Sequence, residues 1–148
     1  MSRSKKIVDS LTSTMKIDPD VYSPITSRSR ASSLGYALAG WLYMLRRQKN
    51  TRIQSVASFA VMALALWLRI DVYGLALLVT VITFVWMAEF LNAAVEAVTN
   101  LATAEIHPMA KVGKDVAAAA VLLGVVASVI VGALVLGPPL LHRLGWIA

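Results

Sequence analysis

Cysteine is absent from the 148-residue chain, which excludes disulfides and thiolate metal sites and leaves the redox compartment undefined. Charge is also scarce: Asp, Glu, Lys and Arg make up 15% of residues, against about 25% in soluble domains. Negative charge is scarcest, with glutamate confined to Glu89, Glu96 and Glu105. There is no Walker-type and no kinase-type glycine loop, so any nucleotide site must be built another way. No internal repeat stands out. The first 50 residues hold no apolar core with a cleavage site, so no secretory leader is expected.

Apolar residues fill the space that these absences leave. Hydrophobic residues account for 58% of the chain, and the mean hydropathy is +0.71. One domain of an integral membrane protein is the expectation. The formal charge of +6 does not point to nucleic acid, because ten of the 14 Lys and Arg residues precede Ile53. That placement is the pattern of a positive cytoplasmic side facing anionic lipid.

Residues 1–27 are polar, rich in Ser, Thr and Lys, and read as a mobile cytoplasmic tail ahead of a membrane domain over 28–148. Ser13 and Lys16 have the spacing of a Ser-x-x-Lys motif, but supporting motifs are missing and the match is read as chance. From 32 to 47, Leu34, Leu38, Trp41, Leu42 and Leu45 recur at three- and four-residue steps, and Arg46 and Arg47 follow. That is an amphipathic helix lying on the membrane surface. Transmembrane helices are expected at about 53–70, 75–98 and 116–136, with a polar loop over 99–115. Arg46, Arg47, Lys49 and Arg52 before the first span, and Lys111 and Lys114 after the second, outweigh Arg69 and Arg143. The N-terminus and the 99–115 loop are therefore expected in the cytoplasm and the C-terminus outside.

The second span carries the chemistry. Glu89, Asn92, Glu96 and Asn100 follow one another at three, four and four residues. At about 100° per residue they cover an arc of roughly 80° on one helix face. Ionisable groups in a membrane segment are expensive and mark function, although Asn and Glu can also simply join helices. With Lys111, Lys114 and His107 close behind, the set suits Mg²⁺ and phosphate, and a carboxylate at the membrane boundary could take a proton from a lipid hydroxyl. A proton or cation pathway would also place acids here.

These residues resemble the motif of the prokaryotic diacylglycerol kinase family, which includes the undecaprenol kinases. That motif is Glu-x-x-Asn, a hydroxyl residue, a small residue, an aliphatic and a second Glu, closing on Asp. Here it stands as Glu89, Asn92, Ala93, Ala94, Val95, Glu96 and Asn100, then His107 with Pro108, and Lys114 with Asp115 before an alanine-rich helix. Tyr36, Ala37, Gly40 and the Gln48–Ile53 segment extend the likeness upstream, so that it covers roughly 32–136. The resemblance implies an all-α membrane protein of the bacterial inner membrane, with a surface helix and three transmembrane helices assembled as a homotrimer with shared active sites. It implies Mg²⁺- and ATP-dependent phosphorylation of a membrane lipid hydroxyl, that of diacylglycerol or undecaprenol; His107 with Pro108 looks closer to the undecaprenol branch.

By position, the resemblance makes Glu89 the base and gives Asn92 the task of orienting the reacting groups. Glu96 would hold the metal and Lys114 would meet phosphates. Tyr36, Glu105, Ile106, His107 and Asp115 would lie against the nucleotide. The chain departs from the pattern at Gln48, where the family has its second metal-ligating glutamate, and at Ala93, Asn100 and Ser29. An amide brings no charge, so weaker Mg²⁺ binding is expected at Gln48. The same departures motivate a second reading, a catalytically lapsed trimer serving as a membrane scaffold or lipid-binding protein.

Overall fold

The computed structural model describes residues 29–102 and 107–146, all of the regular structure being helical. Four helices follow in order: α1 Arg30–Arg47, α2 Lys49–Trp67, α3 Val72–Ala102 and α4 Pro108–Arg143. The chain divides into two compact units after Leu42. The described part of the first is the N-terminal stretch of α1, where Leu34, Leu38, Trp41 and Leu42 are all exposed. The tail over 1–27 lies outside the described residues.

In the second unit α3 packs along α4, and α2 touches both. The α2–α3 turn is short because α2 closes on itself. Arg69 adopts a left-handed φ of 56°, and the Ile70 N–H reaches back to the Ala65 carbonyl at 3.0 Å. This satisfies carbonyls that a helix end otherwise leaves unpaired. Asp71 then starts α3, its Oδ1 accepting from the Gly74 N–H at 2.7 Å. At the same level Ala65, Leu68, Leu78 and Leu136 form the buried core, with Ile70 and Val135 against it. The same end of the hairpin is fastened to the end of α4 by Arg143, whose guanidinium donates to the Trp67 carbonyl at 3.1 Å and lies 4.3 Å over the indole ring.

Among the described residues, two helices are long and apolar enough to cross a membrane, α3 with 31 residues and α4 with 36. At about 1.5 Å per residue they reach roughly 46 and 54 Å, well beyond the roughly 30 Å of a hydrocarbon core. Helix α2 is less apolar, because Lys49, Asn50, Arg52 and Gln54 occupy its first two turns.

The helices run further than the expected spans. The segment 99–115, expected as a loop, is mostly helical: α3 continues to Ala102 and α4 already starts at Pro108. Proline has no N–H to lose at the first helical position and its φ suits a helix start. His107 caps that start by accepting from the Met109 N–H through Nδ1 at 3.2 Å. Lys111 and Asp115 then pair one turn apart on the exposed surface. At the other end α4 passes through Pro138 and Pro139 to Arg143.

Candidate functional site

Helix α3 turns Glu89 inward: the residue is 4% exposed and borders a half-open cavity of about 570 Å³ between α2, α3 and α4. Most of the wall is aliphatic, from Val61, Leu78, Val85, Val125 and Leu136. The polar lining gathers toward the start of α2, where Asn50, Gln54 and Ser58 recur every four residues. Trp86, one turn before Glu89, donates through Nε1 to Ser58 Oγ at 3.2 Å and ties α3 to α2. Its ring meets Phe90 edge-on, with centroids 5.9 Å apart. Gln54 Nε2 is buried without a hydrogen-bond partner among the described residues, as is the hydroxyl of Thr51.

The other residues of the α3 stripe do not enter this cavity. Asn92 is half-buried and lines a separate groove between α3 and α4, together with Met109 and Gly113. Glu96 and Asn100 are exposed. The Lys114 ammonium donates to Asn100 Oδ1 at 2.7 Å, which is about 16 Å along the helix axis from Glu89 at 1.5 Å per residue. Asp115 is occupied on the surface by Lys111. A common helical face thus divides into a buried, a half-buried and two exposed positions, because its neighbours change along α3.

Gln48 separates α1 from α2, and its side chain makes no cap bond. Counting along the α2–α3 hairpin from the Ser58–Trp86 contact brings Gln48 level with Glu96. Tyr36 is exposed on α1 within the first unit. Glu105 and Ile106 lie outside the described residues. Among the described residues, no three acidic or imidazole side chains gather into a metal-binding cluster. One carboxylate at Glu96 with an amide at Gln48 fits Mg²⁺ only as an ion that arrives on phosphate oxygens, the usual way this ion is held.

Neither Gln54 nor Asn50 is among the site residues expected from the sequence. The signal was available: Asn50, Gln54 and Ser58 form a four-residue stripe like the one on α3.

A family model described as prokaryotic diacylglycerol kinase matches residues 35–136. The chain belongs to the prokaryotic diacylglycerol kinase family. A diacylglycerol kinase of Synechocystis sp. is 41% identical over 110 residues, 74% of this chain and 63% of that protein. The chain therefore matches less than two thirds of that relative's length. A diacylglycerol kinase of Escherichia coli is 31% identical over 96 residues, 65% of this chain and 79% of the relative. An undecaprenol kinase of Bacillus subtilis is 32% identical over 95 residues, 64% and 77% respectively. Membership in a membrane-helical family is in keeping with the two long apolar helices found among the described residues. The region matched by the diacylglycerol kinase model takes in Tyr36, Gln48, Gln54, the whole α3 stripe and the start of α4.

Proposed function

We propose that this protein is an integral-membrane lipid kinase that transfers the γ-phosphoryl group of ATP to the hydroxyl of a membrane lipid, diacylglycerol or undecaprenol. The observation that carries the reading is the placement of Glu89, a buried carboxylate at the border of an aliphatic cavity between three helices. A base so placed suits an alcohol carried on an apolar tail.

In this reading Glu89 accepts the hydroxyl proton as the lipid oxygen bonds to the γ-phosphorus, and the bond to the β,γ-bridging oxygen breaks to release ADP. Such transfers ask chiefly for positioning and charge neutralisation. Asn92 orients the reacting groups, and Lys114 leaves Asn100 to meet phosphate oxygens. Tyr36, the Glu105–His107 segment and Asp115 hold the nucleotide. Glu96, helped by Gln48, would hold a Mg²⁺ ion brought in on the phosphates, which supplies charge neutralisation.

The arrangement in the membrane belongs to the same proposal. Helices α2, α3 and α4 cross the bacterial inner membrane, α1 lies on its cytoplasmic surface, and three copies assemble with active sites shared between them. Two features support sharing: Glu89 and Asn92 open to different recesses, and Glu96 is uncovered in the single chain. The α3–α4 connection and the N-terminus face the cytoplasm, where the excess of Lys and Arg lies.

The decisive assay offers labelled ATP and Mg²⁺ to the protein in mixed micelles containing diacylglycerol or undecaprenol, with Glu89→Gln alongside. Labelled lipid from the wild type and none from the variant is the expected result. No label on either lipid, from protein shown to be folded, overturns the reading.

A further inference from the structure

Gln54 is the middle member of the polar stripe on a mostly aliphatic wall, and its Nε2 is buried with no partner among the described residues. Buried N–H groups are almost always paired, and leaving one unmade is unfavourable. No hydrogen bond joins it to Glu89, although both border the same cavity. The cavity is therefore two-sided in chemistry. A carboxylate that can accept a proton and an amide N–H that seeks an oxygen share its lining, while Val61, Leu78, Val125 and Leu136 make most of the remaining wall; the Ser128 hydroxyl among them donates to the Val125 carbonyl. Along α4 the lining runs from Val121 to Leu136, about 22 Å at 1.5 Å per residue. An extended hydrocarbon tail fits this shape, with its polar head at the Gln54 end.

Resting on the lipid-kinase reading, we propose that this cavity binds the acceptor lipid within a single chain and that Gln54 selects the acceptor. Its amide N–H donates to an oxygen next to the reacting hydroxyl. The ester carbonyl of a diacylglycerol offers that second oxygen; a polyprenol carries only the hydroxyl itself, which Glu89 engages. A site built to hydrogen-bond a substrate group discriminates strongly against an analogue that lacks it. The preferred acceptor is accordingly a glycerolipid alcohol.

The test compares wild type with Gln54→Met, which keeps the side-chain length and removes the amide. Both are assayed as full-length protein in mixed micelles at saturating ATP and Mg²⁺, with dioleoylglycerol and undecaprenol as separate acceptors. For dioleoylglycerol, KM is expected to rise about ten-fold in the variant, against less than about two-fold for undecaprenol. The KM for ATP stays unchanged, a split that general damage to the fold does not produce. Equal shifts for both lipids, or none for either, overturn the role of Gln54. A wild type that phosphorylates undecaprenol alone overturns the selectivity and leaves the kinase reading standing; one that phosphorylates neither overturns both. A second measurement does not depend on the variant. A diacylglycerol with a photoreactive group in its acyl chain is expected to label wild-type protein at Leu78, Val125 or neighbouring cavity residues. Labelling confined to the outer faces of the helices overturns the cavity as the acceptor site.

Discussion

Glu89 and Gln48 each permit an experiment on one side chain. Replacing Glu89 by Gln keeps the size and removes the proton acceptor. General-base catalysis contributes typically 10²–10⁴-fold, so kcat for lipid phosphorylation is expected to fall by about that factor, with the KM for ATP little changed; steady-state kinetics at varied ATP check both. At Gln48 the expected change is a gain. Gln48→Glu adds a charged oxygen ligand where the family carries one, and the Mg²⁺ concentration for half-maximal activity is expected to drop roughly ten-fold, because ligand charge sets affinity at such sites. A metal titration at fixed ATP reads this directly, and an unaltered requirement would remove Gln48 from the metal site. The sequence made the α3 stripe legible, since spacing places Glu89, Asn92, Glu96 and Asn100 on one face. It did not tell which of them is enclosed. That depends on what stands opposite: three helices meet around Glu89, whereas Glu96 and Asn100 are exposed. The Asn50, Gln54 and Ser58 stripe was legible as spacing but not as a site, because polar residues near a span's start look like ordinary dilution until a cavity is seen behind them.

At the scale of the helices, periodicity and hydropathy located the four described helices but not their ends, and hydropathy marks only α3 and α4 as long apolar spans. Val116 was the expected start of the last helix because Lys111, Lys114 and Asp115 lower the local hydropathy. The backbone instead obeys His107 and Pro108, a cap and a first-turn proline that permit helix regardless of polarity. Packing at the α2–α3 turn offers a test of what holds the hairpin. A Cβ on Gly74 would sit 2.5 Å from Ile70 Cγ2 and 3.2 Å from Val135 Cγ1. Gly74→Val therefore displaces Ile70 in the turn and crowds Val135 on α4, an overpacking that costs about 1–3 kcal/mol, and thermal denaturation in detergent is expected to show a lower Tm. Asp71→Ala removes the cap bond to the Gly74 N–H without crowding anything, and a smaller loss of about 1 kcal/mol is expected. The ordering of the two variants matters: a larger effect at Asp71 would mean that the turn, not the close approach, fastens this end.

For the whole molecule the question is what covers it. Few side chains are buried, and large apolar ones such as Phe59, Phe84, Leu123 and Leu134 are more than half exposed. Lipid can cover these, but lipid is a poor cover for Glu96, which is exposed and lines neither the Glu89 cavity nor the Asn92 groove. Lys114, meanwhile, is held at Asn100, far along α3 from Glu89. If a phosphate cradled by Lys114 is to reach a hydroxyl at Glu89, the two residues are most simply supplied by different copies. Complementation tests this. Glu89→Gln and Lys114→Met are each expected to be inactive alone. Unfolded together and reassembled in equal amounts, they generate some interfaces in which the intact Glu89 of one copy meets the intact Lys114 of another. Random mixing makes that fraction about one quarter in a cyclic assembly whose sites are shared between neighbours, so activity is expected to recover to about that share of the wild type. Sites completed within one chain predict no recovery at any mixing ratio, since no chain in the mixture carries both residues.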